Sequence, residues 1–378
     1  MNGNILIVLK LNIAWKIKMK KILFGILLLT NIQLKAQDST KTQTNPLGFG
    51  GYAEAYYSYD FNKPADNNRP SFLYSHNRHN EFNINLAYVK GSYDADRIRA
   101  NVALAVGTYI NANYAAEPGV LKNVYEANVG VKISKAKNLW IDAGIFSSHI
   151  GFESAQSSGC WSLTRSMVAE NSPYFESGAK LSYTTDNGKV SLTALALNGW
   201  QRITRLNGNS LMSWGTQIYV KPSDKVTLNY STFLGTDKPD SVRLWRIYHN
   251  LYAIFQFNDK IGLTTGLDIG TEQVSKGSND KNIWYTPVGI LRFTPNSNWA
   301  IAVRGECFSD GKGVIISTGT PNGFKTFGAS LNVDRTFGEH LLWRTEFRTF
   351  SSKDAIFIKE NTTKKNDSAI STSLALTF

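Results

Sequence analysis

The sequence predicts an all-β fold: a transmembrane, antiparallel, up-and-down β-barrel of about 16 strands. Apolar and polar side chains alternate over segments of about ten residues, and short turns alternate with long polar connections. After residue 36 there is no stretch of about 18 apolar residues that could form a membrane helix. The mean hydropathy of −0.24 is too polar for a bundle of such helices, whereas 12% aromatic residues suit a barrel with aromatic belts.

The clearest strand pattern covers residues 97–106. One face carries Ile98, Ala100, Val102, Leu104 and Val106, and the other carries Arg97, Arg99, Asn101, Ala103 and Ala105. In two further segments we expect the lipid-facing side chains to be Phe82, Ile84, Leu86 and Tyr88, and Tyr125, Val129, Val131 and Ile133. A period of two is what a strand needs when one face contacts lipid and the other contacts water.

The number of strands is predicted by counting the connections between these segments. Short turns rich in Gly, Asn, Asp or Pro are predicted at residues 93–96, 134–138, 186–189, 222–225, 258–260, 295–298 and 338–339. Long polar connections are predicted at residues 61–79, 110–121, 150–175, 201–211, 235–244, 275–281, 309–323 and 351–367. Alternating short periplasmic turns and longer external loops are typical of outer-membrane barrels, so about 16 strands follow.

Residues 1–36 have the features of a secretory signal peptide. Met19, Lys20 and Lys21 give a positive start, residues 22–29 an apolar core, and Ala36 a small residue at the expected cleavage site. We favour initiation at Met19, with a longer positive region from Met1 as the alternative. Residues 37–46 would then form a short periplasmic leader, and residues 47–378 the barrel.

The net charge of +12 does not indicate nucleic-acid binding. Six of the 41 basic residues lie in residues 1–36, which contain no acidic residue, so 35 basic and 29 acidic residues remain, a net charge of +6. No run of five or more Lys or Arg follows residue 36. We therefore expect no nucleic-acid partner.

The chain ends in a strand-like pattern. Leu374, Leu376 and Phe378 alternate with Ala375 and Thr377, and the last residue is aromatic. This ending resembles the terminal signal that the barrel-assembly machinery reads in outer-membrane proteins, so we expect Phe378 to contact that machinery.

Three motifs mark the starts of predicted strands: GGYAEAYY at residues 50–57, HNEF at residues 79–82 and PYFESGAKLSY at residues 173–183. In these motifs the chain resembles the OmpL-like family of outer-membrane porins over most of its mature length. The resemblance implies a barrel with a porin-like role. It implies no established substrate and no catalytic residues.

An export signal together with this pattern predicts the outer membrane of a Gram-negative bacterium. There we expect a porin that lets small polar solutes or ions diffuse passively with weak selectivity. Its partners would be the outer-membrane lipid and these solutes, and a homotrimer is compatible with the fold. The alternatives are a barrel enzyme of the lipase or protease type and a plugged structural or adhesive barrel. The leader is too short for the plug domain of a TonB-dependent transporter.

Charged side chains facing the lumen would set any ion preference. A basic residue facing lipid at mid-depth costs roughly 2–4 kcal/mol, so strand parity places these residues inside. The pore-lining candidates are Glu54, Arg97, Arg99, Asp142, Lys180, Arg292, Arg304, Glu306, Arg344, Glu346 and Arg348. Basic residues outnumber acidic ones, which predicts a mild anion preference. The alternative is that the charges pair across neighbouring strands and select nothing.

The connection 150–175 is the longest, and it is a candidate to fold into the lumen as a constriction. The alternative is a surface loop packed on the rim. It contains Cys160, and Cys307 is the only other cysteine. An oxidising compartment permits a disulfide between them, but strand parity points Cys307 outward, which argues against it.

The sequence carries no motif for a catalytic, metal or cofactor site. Ser147, Ser148 and His149 lie at a strand end, where hydroxyl and imidazole groups are ordinary interfacial residues. His76 and His79 lie in a loop without HExxH or a Cys/His cluster, and no phosphate-binding glycine loop is present. We therefore expect a protein that is not an enzyme and has no metal or cofactor.

Overall fold

The structure, a computed structural model, describes residues 45–360 and 362–378. The predicted signal peptide at residues 1–36, both start sites and all but the last two residues of the leader lie outside these residues. Residues 46–378 form one compact unit.

Each strand of the barrel matches a segment of alternating polarity. The barrel strands are β1 Leu47–Asp60, β2 Phe82–Asp94, β3 Ile98–Val106, β4 Val124–Lys132, β5 Asn138–Ser147, β6 Phe175–Thr184, β7 Val190–Leu197, β8 Ser213–Ser223, β9 Val226–Gly235, β10 Arg246–Gln256, β11 Ile261–Gln273, β12 Lys281–Asn296, β13 Trp299–Asp310, β14 Phe324–Phe337, β15 Leu341–Ser352 and β18 Asn366–Thr377. Strands β16 Phe357–Lys359 and β17 Thr362–Lys364 form a separate hairpin in the last long connection.

Within the described residues, the sixteen barrel strands form one closed antiparallel sheet. Each strand pairs with its neighbours in sequence, and β18 closes the barrel between β15 and β1. The prediction of an up-and-down barrel of about 16 strands is confirmed. By the usual orientation of such barrels, the short turns mark the periplasmic end and the eight long connections the outer end.

Helix is confined to the connections. In the described part of the chain, α1 Thr108–Asn113 and α2 Met167–Glu170 are short α-helices, and 3-10 turns cover Gly119–Asn123 and Ser157–Gly159. No helix among residues 45–360 and 362–378 is long and apolar enough to cross a membrane.

The outer face of the barrel is apolar, as the alternation predicts. On β3, Val102, Leu104 and Val106 are more than half exposed, whereas Ala103 and Ala105 on the opposite face are buried. Because a membrane protein presents its apolar band to lipid, these exposed side chains mark the lipid face.

Two β-bulges overturn part of the predicted parity. Leu86, Tyr88 and Tyr125 were expected to face lipid, but they point into the lumen. The register shifts where Asn85 is the extra residue of β2, and again where Tyr125 is the extra residue of β4. The ring of Tyr88 consequently stacks between Tyr52 and Tyr125, with centroids 6.0 and 5.1 Å away. A bulge adds one residue to one strand, so every later side chain changes face.

The closing seam brings the two ends of the described barrel together. Gly51 N–H donates to the carbonyl of Phe378 at 2.8 Å, and Phe378 N–H donates back to Gly51 at 3.1 Å. The Phe378 ring lies against Gly51, where a Cβ atom would come within 2.3 Å of it.

We expect Gly270→Ala to destabilise the barrel. Gly270 on β11 lies opposite Trp284 on β12, and a Cβ there would come within 1.9 Å of the indole ring. Trp284 is buried in the lumen, so the ring has little room to move, and overpacking of this kind costs about 1–3 kcal/mol. Urea unfolding from lipid vesicles, followed by tryptophan fluorescence, measures the change.

The matched control is Gly289→Ala on β12, where nothing lies within 4 Å of the added carbon. We expect its free energy of unfolding to stay within about 0.5 kcal/mol of the unmodified protein. Equal stability of the two variants would show that Trp284 is not tightly packed.

Candidate pore and the loop inside it

The third long connection, residues 148–174, here called L3, lies inside the barrel. Gly151 N–H donates to Asn250 Oδ1 on β10 at 3.1 Å, and Leu163 N–H donates to Asn332 Oδ1 on β14 at 3.0 Å. L3 therefore crosses the lumen and packs along the inner wall. The sequence left a lumenal loop and a rim loop open, and the structure shows the lumenal one.

A buried cluster of ionised side chains holds the middle of L3. Arg304 donates to Glu346 Oε1 at 2.8 Å, and Arg348 donates to Glu306 Oε1 at 2.7 Å. Three of these side chains bind the backbone of L3, and Arg348 binds the Thr164 hydroxyl. Arg304 donates to the Thr164 carbonyl at 2.7 Å, Thr164 N–H donates to Glu346 at 2.6 Å, and Met167 N–H donates to Glu306 at 2.5 Å. Their side chains are at most 2% exposed, so no open water path touches them.

Two further groups fix the first half of L3. Arg344 forms a two-point ion pair with Asp334 at 2.7 and 2.9 Å, and it also donates to the carbonyls of Ser157 and Cys160. Ser157 Oγ donates to Glu54 Oε1 at 2.5 Å. We call Glu54, Arg304, Glu306, Asp334, Arg344, Glu346 and Arg348 the anchor residues.

One arginine of L3 also forms hydrogen bonds within the loop itself. Arg165 is fully buried and donates to the carbonyls of Ser154, Ala155 and Leu163 at 2.5–2.6 Å. An irregular loop in a closed lumen has few other donors for its carbonyl groups, and a guanidinium supplies five N–H groups in a fixed plane. Arg165 therefore keeps the two arms of L3 together.

The outer half of the lumen is filled by an apolar layer. It consists of buried residues from the wall, from L3, from the last two long connections and from the first long connection, residues 61–81, here called L1. The apolar layer comprises Phe72, Leu73, Phe146, Ile150, Met167, Leu195, Leu197, Phe233, Tyr248, Trp284, Phe308, Ile316, Phe324, Phe350 and Phe357. Since it joins β5 and β7 to β13–β15, it spans the lumen.

L1 and L3 contact each other directly. The Glu170 carboxylate of L3 accepts the N–H groups of Tyr74, at 2.9 Å, and Ser75, at 3.2 Å. Burial raises the pKa of Glu170 to about 7, although Arg165 opposes the shift. Since the folded pKa lies above the ordinary value of 4.5, the contribution of Glu170 to stability falls as the pH rises from about 4.5 towards 7.

On the wall facing the anchor residues, charged side chains form a second group in which Lys90 and Arg99 remain partly exposed and Asp142 is buried. Lys90 pairs with Glu126 at 2.5 Å, Arg99 pairs with Asp142 at 2.6 Å, and Lys180 lies over the Phe146 ring. The side chains of Lys90 and Arg99 are 33% and 34% exposed, in contrast to the sealed anchor residues. We call Lys90, Arg99, Glu126, Asp142 and Lys180 the charged wall.

The predicted pore-lining residues thus separate into groups. Arg99, Asp142 and Lys180 belong to the charged wall, and Arg292 is half-buried with its guanidinium 5.9 Å from the Trp161 ring of L3. Arg97 lies outside β3, in the turn after β2, where it is exposed and donates to the Lys132 carbonyl. The six others are anchor residues: Glu54, Arg304, Glu306, Arg344, Glu346 and Arg348. They were expected to line a water-filled pore, but they are sealed between the wall and L3.

The pore-lining candidates from the sequence did not include Lys90, Glu126 or Asp334. Asp334 alternates with Val333 and Arg335 along β14, so strand parity alone could have identified it. Lys90 follows the bulge at Asn85, and its inward direction depends on that bulge. Cys160 and Cys307 are both free, so no disulfide joins them.

The hydroxyl and imidazole groups at the end of β5 do not form a catalytic pair. Ser148 Oγ donates to Glu176 at 3.1 Å, and the His149 ring contacts Glu176 at 2.8 Å and the Thr232 carbonyl at 2.9 Å. A serine nucleophile needs a hydrogen bond to its base, and here both groups bind Glu176 instead.

Solved structures with a similar fold come from bacterial outer membranes. They include "Outer-membrane expressed OmpT of Vibrio cholerae" (TM-score 0.58, 8% identity, 90% of this chain and 100% of that chain). They also include "Anion-selective porin from Comamonas acidovorans" (TM-score 0.56, 10% identity, 88% and 99%). A third is the outer membrane channel DcaP of Acinetobacter baumannii (TM-score 0.53, 10% identity, 90% and 100%). At these identities the likeness shows the fold alone. No curated protein sequence matches the chain.

The family is identified from the sequence. A family model described as "Putative beta-barrel porin-2, OmpL-like" matches residues 46–378, which include every barrel strand. The chain therefore belongs to the OmpL-like family of β-barrel porins, and it is an outer-membrane porin.

Proposed function

We propose that small polar solutes or ions diffuse passively through this porin with weak selectivity, along a path between L3 and the charged wall. The observation that carries the proposal is the contrast in exposure across the lumen. The side chains of Arg304, Glu306, Glu346 and Arg348 are at most 2% exposed beneath L3, whereas those of Lys90 and Arg99 on the charged wall are 33% and 34% exposed. L3 is then the constriction of the path.

The charged wall favours a mild anion preference. It contains the three cations Lys90, Arg99 and Lys180, and the two anions Glu126 and Asp142. Four of these groups pair with each other, which leaves Lys180 in excess and keeps the field weak. One structural neighbour is described as an anion-selective porin, which agrees with this direction.

A second candidate function, a plugged structural barrel, is favoured by the apolar layer. The layer fills the outer half of the lumen in this conformation, so conduction requires part of L1 and L3 to move. An apolar constriction of this kind can gate a channel because water leaves it when it narrows. Single-channel conductance separates a gated porin from a permanent plug.

We further propose that the protein is not an enzyme, because the Ser148 hydroxyl and the His149 ring both bind Glu176 and do not hydrogen-bond to each other. A homotrimer is proposed with support from the fold, since one structural neighbour is described as a trimer form. The exposed ring of Phe378 at the end of the chain supports recognition by the barrel-assembly machinery.

Deletion of residues 154–170 tests the path. It removes the part of L3 held by the anchor residues, and we expect the single-channel conductance in planar bilayers to rise by roughly twofold or more. The control is deletion of residues 276–279, in the mostly exposed connection between β11 and β12, which should leave the conductance unchanged. Folded protein that never conducts, with or without L3, would support the plugged barrel. An unchanged conductance after the deletion would rule L3 out as the constriction.

Lys180→Gln tests the charge preference. Among the described residues no carboxylate lies within salt-bridge distance of Lys180, whose ammonium group lies over the Phe146 ring, so its loss should lower the anion-to-cation permeability ratio by about a factor of two. Reversal potentials under a salt gradient measure this ratio. Lys260→Gln, in the exposed turn between β10 and β11, should leave it unchanged. A clear cation preference of the unmodified protein would contradict the assignment.

A further inference from the structure

A separate cavity opens at the outer mouth of the barrel, above the apolar layer. It has a volume of about 570 Å³ and lies between L1, the connection 311–323 and the connection 353–365. Phe72, Ile316 and Phe357 form an apolar side, and Asp60, Arg69 and Asp367 line it with charged groups. Ligand sites in proteins have this size and this combination of an apolar wall with a few polar groups.

The three charged residues are buried although they line the cavity. Asp60, Arg69 and Asp367 are 1%, 4% and 2% exposed. Asn62 holds both carboxylates: its N–H donates to Asp60 at 2.8 Å, and its side-chain amide donates to Asp367 Oδ1 at 2.9 Å. Arg69 is 3.9 Å from Asp60. Two carboxyl groups lie beside one guanidinium, so the site carries an excess of negative charge when both carboxyl groups are ionised.

Two polar atoms of this trio lack a hydrogen bond among the described residues: Asp367 Oδ2 and Arg69 Nε. One is an acceptor on a carboxylate and the other is an N–H donor. A buried polar group without a partner costs about 1–3 kcal/mol, so such groups usually bind protein or ordered water, or a ligand where a cavity adjoins them. A ligand that satisfies both atoms offers a hydrogen-bond donor to Asp367 and an oxygen acceptor to Arg69.

We propose that this cavity binds the free amino terminus of a short peptide or an amino-acid amide with an apolar side chain. The ammonium group would donate to Asp367 Oδ2, and the neighbouring carbonyl oxygen would accept from Arg69 Nε. The apolar side chain would lie against Phe72, Ile316 and Phe357. This site goes beyond the proposed diffusion function, because it lies at the mouth and needs no open path beneath it.

The charge of the site selects the ligand class. A ligand with one positive charge neutralises the excess carboxylate, whereas a carboxylate ligand would place a third negative group beside Asp60 and Asp367. A bare metal ion fits less well. In the described part of the chain, no group of three or more His, Cys, Asp or Glu side chains is arranged to hold one.

Isothermal titration calorimetry of the complete folded protein in detergent tests the site with phenylalanine amide at neutral pH, where the amine is still largely protonated. We expect saturable binding of phenylalanine amide and none of N-acetyl-phenylalanine amide, which lacks the charge. Phenylalanine itself, which carries a carboxylate, should bind at least about tenfold more weakly than its amide. Equal binding of the acetylated compound, or no binding of the amide, would overturn the proposal.

Asp367→Asn removes the charge and keeps the shape and the oxygen that Asn62 binds. We expect it to weaken binding about tenfold or more, because hydrogen bonds to charged groups are the strong ones. Asp66→Asn makes the same change on the exposed rim of the cavity, where Asp66 binds Asn68, and should alter binding less than about twofold. Equal affinities of the two variants would overturn the assignment of Asp367. Binding is measured without a membrane, so its failure and the failure of conduction are separate results.

Discussion

The structure depends on one constraint, which is that every backbone N–H and C=O group inside a bilayer must find a partner within the protein. The closed sheet meets it, because each barrel strand has a neighbour on both sides and β18 pairs with both β15 and β1. Closure with sixteen strands then produces a lumen that is too wide for its own side chains to fill. Much of the space is occupied instead by chain from the connections, chiefly L1 and L3.

An irregular loop inside a lumen has the same need for partners, and this explains the buried charges. L3 lacks regular hydrogen bonds over most of its length, so its N–H groups bind carboxylates and its carbonyls bind guanidinium groups. Glu346 accepts from Thr164, Glu306 accepts from Met167, and Arg344 donates to Cys160. The ion pairs Arg304–Glu346 and Arg348–Glu306 join β13 to β15, and Arg344 on β15 pairs with Asp334 on β14. An unpaired charge in such a place would cost several kcal/mol. The anchor residues therefore hold L3 in place and do not line the path of a solute.

The sequence predicted the barrel well, because its period of two is set by lipid on one face and applies to every strand. The number of strands followed from turn chemistry, which is local. Parity failed at Leu86, Tyr88 and Tyr125, because a bulge adds one residue without a strong sequence signal. The roles of Arg304 and Arg348 could not be predicted either. Alternation shows that a side chain faces the lumen, but not whether water or L3 occupies the space in front of it.

L1 and L3 share their partners, and this couples their movements. Glu54 on β1 contacts His76 of L1 at 3.1 Å and Ser157 of L3 at 2.5 Å, and Glu170 of L3 accepts the N–H groups of Tyr74 and Ser75 of L1. If one loop moved alone, a buried carboxylate would lose some of its hydrogen bonds while staying out of water. If both loops moved together, water could reach Glu54 and Glu170 and replace the lost bonds. Opening of the lumen is therefore less costly when L1 and L3 leave the apolar layer as one unit.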